Sequence, residues 1–489
     1  IYVFDDNSAD VIYATDGGAD DSTEDWLYSE GASGHLVIDL VNETFTNSLN
    51  PLLGLNVTDT IIGFEHVDTR SGFADTVTGT AGNNTIIGNG GDDVIEGGDG
   101  ADYLYGEETS GAGDTQGAAD RVVYANATEG IVIDFTSNIA SNDGYGNIDY
   151  VYNFDQVIGS DFDDIITLKD EGISGMASFS GDGNDTVTGS SNSNNIDGGD
   201  GDDLIMGGDG DDIIDGEGDN DTIYGEDGAD TMTGGLGNDY LDGGARSDTI
   251  NGNEGDDTIF GGDGQDLLLG GDDNDTISGD ADVDDINGGN GDDIIYGGTE
   301  ADILTGGEGA DTVYGDDGDD IVNVTLDNFV DAYYGGDAAT DTGTADQLFF
   351  NGGTGSNGTI VDMQAGTIDK GGTGTYIDTF TGFETVVIFD TNLTIYGDLG
   401  DDIITAQGSS SNVTMSGGDG ADTLTGTGTS DWLDYGAESG GGAVTVNLLA
   451  GTATDSFGKI DTLSTINNVI ATTLADVIHG SNTNNTIIA

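Results

Sequence analysis

The chain has 489 residues, with 96 acidic and 6 basic side chains and a formal net charge of −90. An excess of negative charge of this size repels nucleic acid and anionic membrane surfaces, so we expect no nucleic acid among its partners. No apolar run approaches the roughly 20 residues of a membrane-spanning helix, so we expect no membrane insertion. No cysteine is present to form a disulfide.

In chain order, the sequence divides into blocks of nine-residue units (nonamers) separated by longer units of short β-rich runs. Each longer unit has two or three such runs and no helical periodicity, as in GIVIDF at 130–135. We expect all of them to continue one solenoid. The predicted segments are an N-terminal long β unit at 1–69, a short nonamer block at 70–105, a second long β unit at 106–179, the main nonamer block at 180–323, a third long β unit at 324–396, a short nonamer block at 397–434 and a C-terminal long β unit at 435–489.

The main block, 180–323, consists of sixteen consecutive nonamers, such as GGDGDDLIM at 198–206. Position 6 is Asp in every nonamer but one, and position 8 is apolar in all sixteen. A fixed period of this length indicates a repeat architecture and takes precedence over local assignments of secondary structure.

The period predicts an all-β fold, a parallel β-roll or β-solenoid interrupted by the longer β-rich coils. Repeated glycines disfavour helix by about 1 kcal/mol each. One inward apolar residue per nonamer fits a very short strand. The glycine-rich half supplies turn conformations that other residues adopt with difficulty. Two nonamers then close one coil, and stacked coils pair their strands in parallel.

Such a coil is short of stabilising interactions. One buried Ile or Leu contributes about 1.5–3 kcal/mol, whereas ordering the backbone costs about 1–2 kcal/mol per residue. The position-6 aspartates of neighbouring coils also lie on the same edge, where like charges repel. Ca²⁺ resolves both problems, because it accepts six to eight oxygen ligands from carboxylates and carbonyls. We therefore expect binding of several Ca²⁺ ions to be coupled to folding.

The GGDGDD nonamers resemble the RTX (hemolysin-type) calcium-binding repeat, GGxGxDxUx. The resemblance covers the main block unit by unit and the shorter blocks around it. It implies a β-roll with Ca²⁺ between successive turns on both edges, with the position-6 aspartate as side-chain ligand. The alternative for these residues is a solvated acidic turn. The implied ligands are Asp93, Asp102, Asp185, Asp203, Asp212, Asp221, Asp230, Asp239, Asp248, Asp257, Asp266, Asp275, Asp284, Asp293, Asp302, Asp311, Asp320, Asp402 and Asp422.

Several nonamers of the main block depart from the pattern, and four of these departures bear on the predicted sites. Asn194 replaces the position-6 aspartate and stands in a turn that lacks most glycines, so we expect this edge to hold no ion. Arg246 replaces a turn glycine and brings its own charge, so that turn is expected to be vacant or salt-bridged. Glu300 also replaces a turn glycine. A fourth unit, 279–287, loses two turn glycines and keeps Asp284.

We expect no enzymatic activity from these residues. His35, His66 and His479 are scattered and lack the HExxH pattern of zinc proteases, and no GxSxG motif of an α/β-hydrolase occurs. Aspartates are so frequent that no glycosidase pair stands out. Trp26 and Trp432 hold equivalent places in their long units. They are predicted to be buried anchors, with a sugar-stacking role as the alternative.

The sequence favours a secreted, calcium-binding structural protein, such as a surface-layer, fibre or matrix component. The alternatives are the calcium-binding region of a larger secreted enzyme and a carbohydrate-binding adhesin. The resemblance implies export from a Gram-negative bacterium by a type I system and a location at the cell surface. Both ends of the sequence look like sections of repeat. We therefore expect self-association through uncapped solenoid ends or calcium-bridged acidic faces, with cell-surface polysaccharide as a further possible partner.

Overall fold

The structure is a computed structural model of the chain, and all of its described regular elements are β-strands. Within the described ranges, no helix is long and apolar enough to cross a membrane. The described residues are 11–13, 26–28, 36–40, 44–50, 55–62, 65–71, 73–107, 119–170, 176–327, 329–336, 346–350, 360–363, 365–370, 377–381, 383, 385–388, 393–407, 413–428, 430–438 and 440–489.

The chain forms two compact units, Ile1–Ala245 and Arg246–Ala489. The strands of the first unit are β1 (Val11–Tyr13), β2 (Trp26–Tyr28), β3 (Leu36–Asp39), β4 (Thr44–Asn50), β5 (Leu55–Ile62), β6 (His66–Ser71), β7 (Thr76–Thr78), β8 (Thr85–Asn89), β9 (Val94–Glu96), β10 (Tyr103–Tyr105), β11 (Arg121–Val123), β12 (Val132–Asp134), β13 (Ile139–Asn142), β14 (Asp149–Tyr152), β15 (Gln156–Ile158), β16 (Ile165–Thr167), β17 (Ala177–Asp182), β18 (Thr186–Ser190), β19 (Asn195–Asp200), β20 (Leu204–Asp209), β21 (Ile213–Gly218), β22 (Thr222–Asp227), β23 (Thr231–Leu236) and β24 (Tyr240–Ala245).

The strands of the second unit are β25 (Thr249–Glu254), β26 (Thr258–Asp263), β27 (Leu267–Asp272), β28 (Thr276–Ala281), β29 (Asp285–Asn290), β30 (Ile294–Thr299), β31 (Ile303–Glu308), β32 (Thr312–Asp317), β33 (Ile321–Val324), β34 (Ala332–Tyr334), β35 (Gln347–Phe350), β36 (Ile360–Asp362), β37 (Thr367–Asp369), β38 (Ile377–Thr381), β39 (Thr385–Ile388), β40 (Thr394–Tyr396), β41 (Ile403–Ala406), β42 (Thr414–Ser416), β43 (Thr423–Gly426), β44 (Trp432–Asp434), β45 (Thr445–Asn447), β46 (Thr452–Thr454), β47 (Ile460–Ser464), β48 (Asn468–Ile470), β49 (Val477–His479) and β50 (Thr486–Ile488).

Strands in the nonamer blocks pair in parallel with the strand two nonamers away. In the first unit, β20 pairs with β22 and places Leu204 opposite Thr222. In the second unit, β26 pairs with β28 and places Thr258 opposite Thr276. Each pairing joins residues eighteen positions apart. The prediction that two nonamers close one coil of a parallel β-solenoid is therefore confirmed.

In each of the two units, every nonamer of the main block contributes one fully buried side chain to the core. In β20, Ile205 is fully buried while its neighbour Leu204 is 37% exposed, because successive side chains of a strand point to opposite faces. Every position-8 residue of the main block is buried. They are Val187, Ile196, Ile205, Ile214, Ile223, Met232, Leu241, Ile250, Ile259, Leu268, Ile277, Ile286, Ile295, Leu304, Val313 and Val322.

Each long unit inserts one antiparallel strand into an otherwise parallel sheet. In the second long unit, β13 runs antiparallel to both β12 and β14, whereas β14 stacks in parallel on β10 of the preceding nonamer. The strands β4, β37 and β46 hold the same place in the other three units. The prediction of longer β-rich coils between the nonamer blocks is therefore confirmed. The antiparallel strand within each of them was not predicted from the sequence.

The buried aromatic anchors of the long units are phenylalanines, such as Phe154, and tyrosines. Trp432 is half-buried, while its neighbour Leu433 fills the core, so the prediction that Trp432 is a buried anchor is wrong. The side chain of Trp26 lies outside the described residues. Tyr124 and Tyr435 are buried instead, and their hydroxyls donate to Asp149 at 3.3 Å and to Asp461 at 2.7 Å. A tyrosine can fill a wide coil and also satisfy a buried carboxylate, which tryptophan cannot do from the outward-facing position.

Candidate metal centre

The turn before each strand places its aspartate by means of glycines. Gly201 has φ +141°, and a Cβ added there would lie 2.0 Å from the carbonyl oxygen of Gly183 in the neighbouring coil. Only glycine permits both this dihedral angle and this close approach. Because the turns of successive coils stack this closely, the position-6 aspartates that follow them also stack, eighteen residues apart.

The stacked aspartates are joined by a ladder of hydrogen bonds. The backbone N–H of Asp185 donates to Oδ1 of Asp203 at 2.7 Å, and that of Asp203 donates to Oδ1 of Asp221 at 2.9 Å. In the second unit, Asp275 donates in the same way to Asp293 at 2.9 Å. One oxygen of each of these acceptor carboxylates is therefore committed to holding two coils in register.

All of the predicted ligand aspartates lie in this ladder position, and none is more than 5% exposed. This burial excludes the alternative of a solvated acidic turn. They are Asp93, Asp102, Asp185, Asp203, Asp212, Asp221, Asp230, Asp239, Asp248, Asp257, Asp266, Asp275, Asp284, Asp293, Asp302, Asp311, Asp320, Asp402 and Asp422.

The second oxygen of the carboxylate faces an oxygen-rich cradle beside the first glycine of its nonamer. A Cβ added at Gly207 would lie 2.6 Å from Oδ2 of Asp212 and 3.0 Å from the carbonyl oxygen of Gly225. In many coils this Oδ2 is buried and accepts no hydrogen bond from the described residues. Such oxygens belong to Asp93, Asp102, Asp185, Asp203, Asp212, Asp221, Asp266, Asp275, Asp284, Asp293, Asp302, Asp311 and Asp422.

Burial makes the charged form of these carboxylates costly. It raises the pKa of Asp185, Asp221 and Asp275 to about 8, with a further rise from neighbouring carboxylates and a partial offset from the backbone hydrogen bond. A buried carboxylate retains its charge at neutral pH when a cation lies beside it. Each of these carboxylates therefore favours either a bound proton or a bound cation.

The donor set fits Ca²⁺. All the available donors are oxygens, which is the chemistry of a hard divalent cation. Among the described residues, no three His, Cys, Asp or Glu side chains converge on one point. Bound Ca²⁺ would therefore rely on a position-6 carboxylate together with backbone carbonyls of stacked turns. When bound, the ion supplies the positive charge that the ladder lacks, and its binding free energy becomes folding free energy.

A family model describing four copies of the RTX calcium-binding nonapeptide repeat matches the chain at several places. The matched residues are 71–108, 179–214, 206–241, 233–268, 242–277, 263–295, 296–328 and 405–433. The chain carries RTX calcium-binding nonapeptide repeats. Repeats in this number bind several Ca²⁺ ions, and RTX proteins are typically secreted. A search of curated proteins found no match.

In two turns of the RTX array and one turn of the C-terminal long unit, an asparagine replaces the aspartate and completes its own hydrogen bonds. Asn194 Oδ1 accepts from the backbone N–H of Ser190 at 2.8 Å, and its Nδ2 donates to the carbonyl of Met176 at 2.9 Å. Asn84 and Asn485 form the same pair of bonds with Thr80 and Glu65 and with Ser481 and Asn467, respectively. The asparagine Oδ1 thus lies beside the first glycine, where an aspartate has its unsatisfied Oδ2, and it is uncharged and already accepts a hydrogen bond. That the Asn194 edge holds no ion stays a prediction.

Two irregular RTX turns keep the backbone of the regular ones. Arg246 has φ +83° and Glu300 has φ +69°, both in the left-handed region that favours glycine. The strain at these turns is tolerated because hydrogen bonds to the neighbouring coil fix the backbone. For example, the backbone N–H of Arg246 donates to the carbonyl oxygen of Asp263 at 2.6 Å. Whether the Arg246 turn is vacant or salt-bridged stays a prediction.

The ladder of hydrogen-bonded aspartates continues through the long units, where the sequence analysis predicted no ligands. Asp102 N–H donates to Asp149 Oδ1 at 2.9 Å, and Asp422 N–H donates to Asp461 Oδ1 at 3.3 Å. The signal that could have found these residues is an aspartate followed two positions later by a buried apolar or aromatic residue. Further ladder aspartates are Asp120, Asp149, Asp164, Asp331, Asp346 and Asp461 in the long units and Asp431 in the last nonamer block.

Proposed function

We propose that this protein is a secreted, non-catalytic structural component of an extracellular layer, fibre or matrix, which folds and then assembles on binding Ca²⁺. The observation that carries the proposal is a second, exposed row of carboxylates and amides beside the buried ladder. Assembly through this row would be separate from folding, because the two rows face different environments.

The exposed row follows position 5 of the nonamers. Asn220 N–H donates to Oδ1 of the exposed Asp202 at 3.0 Å. In the second unit, Asn274 N–H donates to Oδ1 of Asp256 at 2.9 Å, and Ala310 N–H donates to Oδ1 of Asp292 at 2.8 Å. These bonds hold the carboxylates at the stacking distance of the coils. Two such faces on different molecules repel one another, and divalent cations shared between them would join them.

Light scattering and electron microscopy at graded Ca²⁺ concentrations test this proposal. Circular dichroism on the same samples reports folding. We expect a folded monomer at intermediate Ca²⁺ and ordered assemblies at higher Ca²⁺, which dissolve again when Ca²⁺ returns to the intermediate level. A chain that remains monomeric at millimolar Ca²⁺, although fully folded, would contradict the proposal.

A second candidate function is binding of a saccharide, and it rests on a cleft in the second unit. The cleft is shallow and open to solvent, has a volume of about 370 Å³ and is lined by Tyr296, Asp280 and Asp316 together with Ser278 and Thr299. The ring of Tyr296 stacks on Tyr314 at 5.0 Å, and Tyr314 stacks on Tyr334 at 4.7 Å. A rigid aromatic ring beside carboxylate and hydroxyl acceptors suits the apolar face and the hydroxyls of a sugar.

Glycan-array binding of the calcium-loaded chain separates the two candidates. Tyr296→Ala should abolish binding if the cleft is a sugar site. Tyr103→Ala, which removes an exposed tyrosine stacked on Tyr150 in the first unit, is the matched control. Equal binding by both variants would exclude the cleft, and calcium-dependent assembly without glycan binding would leave the structural role alone.

A further inference from the structure

Three long coils share one position next to the aspartate ladder. It is the residue that follows the inserted antiparallel strand: Asp143 after β13, Lys370 after β37 and Asp455 after β46. The pairing registers align the last two, because Asp369 lies opposite Ile377 and Thr454 lies opposite Ile460. The strand β13 reaches the same place after a bulge of one residue.

In the third long coil this position holds a buried ammonium group surrounded by oxygens. Lys370 Nζ lies 2.8 Å from Asp331 Oδ2 and 2.9 Å from Asp327 Oδ1, and it donates to the carbonyl oxygen of Phe329 at 3.3 Å. Asp331 is the ladder aspartate of the preceding coil, since its Oδ1 accepts from Asp311 N–H. In the third long coil, the Lys370 ammonium group therefore supplies a positive charge beside the ladder aspartate Asp331.

In the second and fourth long coils the same position holds a carboxylate. Asp143 Oδ1 accepts the backbone N–H groups of Tyr145 at 2.9 Å and Asn147 at 2.8 Å. Asp455 Oδ1 accepts those of Phe457 at 3.0 Å and Lys459 at 2.7 Å. Both aspartates are at least 99% buried. The identical turns fix each carboxylate in place and leave its second oxygen beside the ladder.

The ladder aspartates opposite these carboxylates present unsatisfied oxygens. Oδ2 of Asp102 and of Asp422 accepts no hydrogen bond from the described residues, and neither does Oδ2 of Asp455. Asp143 lies close enough for its charge to act on Asp102, and Asp455 acts in the same way on Asp422. Two buried carboxylates that are both charged are strongly destabilising unless a cation lies between them or one of them takes up a proton.

The neighbouring groups do not supply that cation. The third carboxylate of each cluster, Asp149 or Asp461, is engaged by a ladder N–H and a tyrosine hydroxyl. Asn147 Nδ2 donates to Asp143 Oδ2 at 3.3 Å and carries no charge. Lys459 directs its exposed Nζ to Asp419 at 3.9 Å. Glu438 adds a further carboxylate to the fourth coil, where its Oε2 accepts Ser456 N–H at 3.1 Å.

We propose that the second and fourth long coils each bind a divalent cation, between Asp102 and Asp143 and between Asp422 and Asp455, and that Lys370 replaces this ion in the third. The carbonyls of Gly100 and Gly420 stand where Phe329 contacts Lys370, two residues before the ladder aspartate, and would complete the oxygen set. Each ion would use the Oδ2 of a nonamer aspartate already predicted as a ligand, and it would differ from the ions of the regular coils because its second carboxylate comes from the long coil.

Native mass spectrometry of the full chain with saturating Ca²⁺ tests the proposal by counting ions. Asp143→Asn and Asp455→Asn should each lose one Ca²⁺, and Lys370→Asp should gain one. The control is Asp161→Asn, an exposed carboxylate of the second long unit, which should keep the full count. Circular dichroism verifies that each variant is folded.

Loss of the fold would remove bound Ca²⁺, so an additional Ca²⁺ ion in the Lys370→Asp variant cannot result from misfolding. This variant therefore still tests the proposal if an asparagine variant does not fold. Folded Asp143→Asn and Asp455→Asn variants that bind as many ions as the Asp161→Asn control would overturn the proposal. So would a folded Lys370→Asp variant with an unchanged count.

Discussion

The backbone N–H of Asp203 donates to Oδ1 of Asp221, eighteen residues further along the chain, at 2.9 Å. This bond uses Oδ1 of Asp221 to hold neighbouring coils and leaves Oδ2 of the same carboxylate for a cation. Backbone pairing and ion binding therefore act through the same side chain, so the loss of one should weaken the other.

Replacement of Asp203 by asparagine should raise the Ca²⁺ concentration needed for folding. Asparagine removes the charge of the buried carboxylate and replaces one of its two oxygens with an amide donor. We expect a several-fold increase in the midpoint of a Ca²⁺ titration followed by circular dichroism. Asp202→Asn is the matched control, because Asp202 is exposed and its Oδ1 only accepts bonds from Asn220. Equal midpoints for both variants would show that Asp203 is not a ligand.

The reverse substitution, Asn194→Asp, should make a cation-independent turn depend on calcium. The new carboxylate oxygen would face the carbonyl of Met176, to which the Asn194 amide now donates. We expect a loss of about 1–3 kcal/mol in low Ca²⁺ from this unsatisfied contact, with recovery on adding Ca²⁺. Asn184→Asp adds the same charge at an exposed position and serves as control. Urea unfolding at two Ca²⁺ concentrations measures both effects.

Close stacking of the turns should make Gly201 intolerant of a side chain. Gly201→Ala would combine an unfavourable φ with a Cβ placed 2.0 Å from Gly183 O, and we expect a loss of about 4 kcal/mol or more. Gly146→Ala also has a positive φ, of +94°, but no atom lies within 4 Å of its Cβ. This control should lose only about 1–2 kcal/mol. Similar thermal stabilities of the two variants would contradict the stacking geometry.

Acid should partly replace calcium. Burial raises the pKa of Asp185, Asp221 and Asp275 from 3.8 to about 8, so the folded chain binds protons more tightly than the unfolded chain. The stability gained from these protons is fully present below about pH 4 and is lost as the pH rises through about 8. We expect calcium-free protein to gain β-sheet signal on acidification from pH 8 to pH 5.

Acidification also lowers the net charge of the whole chain, so this contribution needs a control. High salt at pH 8 screens the charges and leaves the carboxylates ionised. Recovery of the sheet signal in acid but not in salt would support protonation of the ladder. An equal recovery of the sheet signal in salt would show that acid acts by reducing general charge repulsion. No recovery in acid would contradict the prediction.

The hydroxyl of Tyr435 should matter more than its ring. Tyr435→Phe leaves the buried Asp461 without one of its two hydrogen bonds, at a cost of about 1–3 kcal/mol. Tyr314→Phe preserves a ring stacked between Tyr296 and Tyr334 and should change the free energy of unfolding much less. Urea unfolding in saturating Ca²⁺ compares the two, and equal losses would show that the bond to Asp461 is unimportant.

The sequence allowed the nonamer coils to be predicted almost completely, because a strict period fixes the same environment at every repeat. The buried Ile205 and the ladder position of Asp203 both follow from that period. The antiparallel strand β46 does not follow from that period, because it depends on pairing with β45 and β47 and no sequence repeat indicates it. The roles of Asp143, Lys370 and Asp455 were hidden for the same reason.

The eighteen-residue spacing of the ladder also governs how the fold can form. Each coil of the regular array contacts only its neighbours, so every closure joins a loop of the same short length, and ordering can spread from one coil to the next. The long coils interrupt this progression. The bond from Asp102 to Asp149 spans 47 residues, which adds about 0.9 kcal/mol of closure entropy relative to a regular coil. Folding should therefore advance quickly within a nonamer block and pause at each long coil, so that the long coils divide the array into successive folding steps.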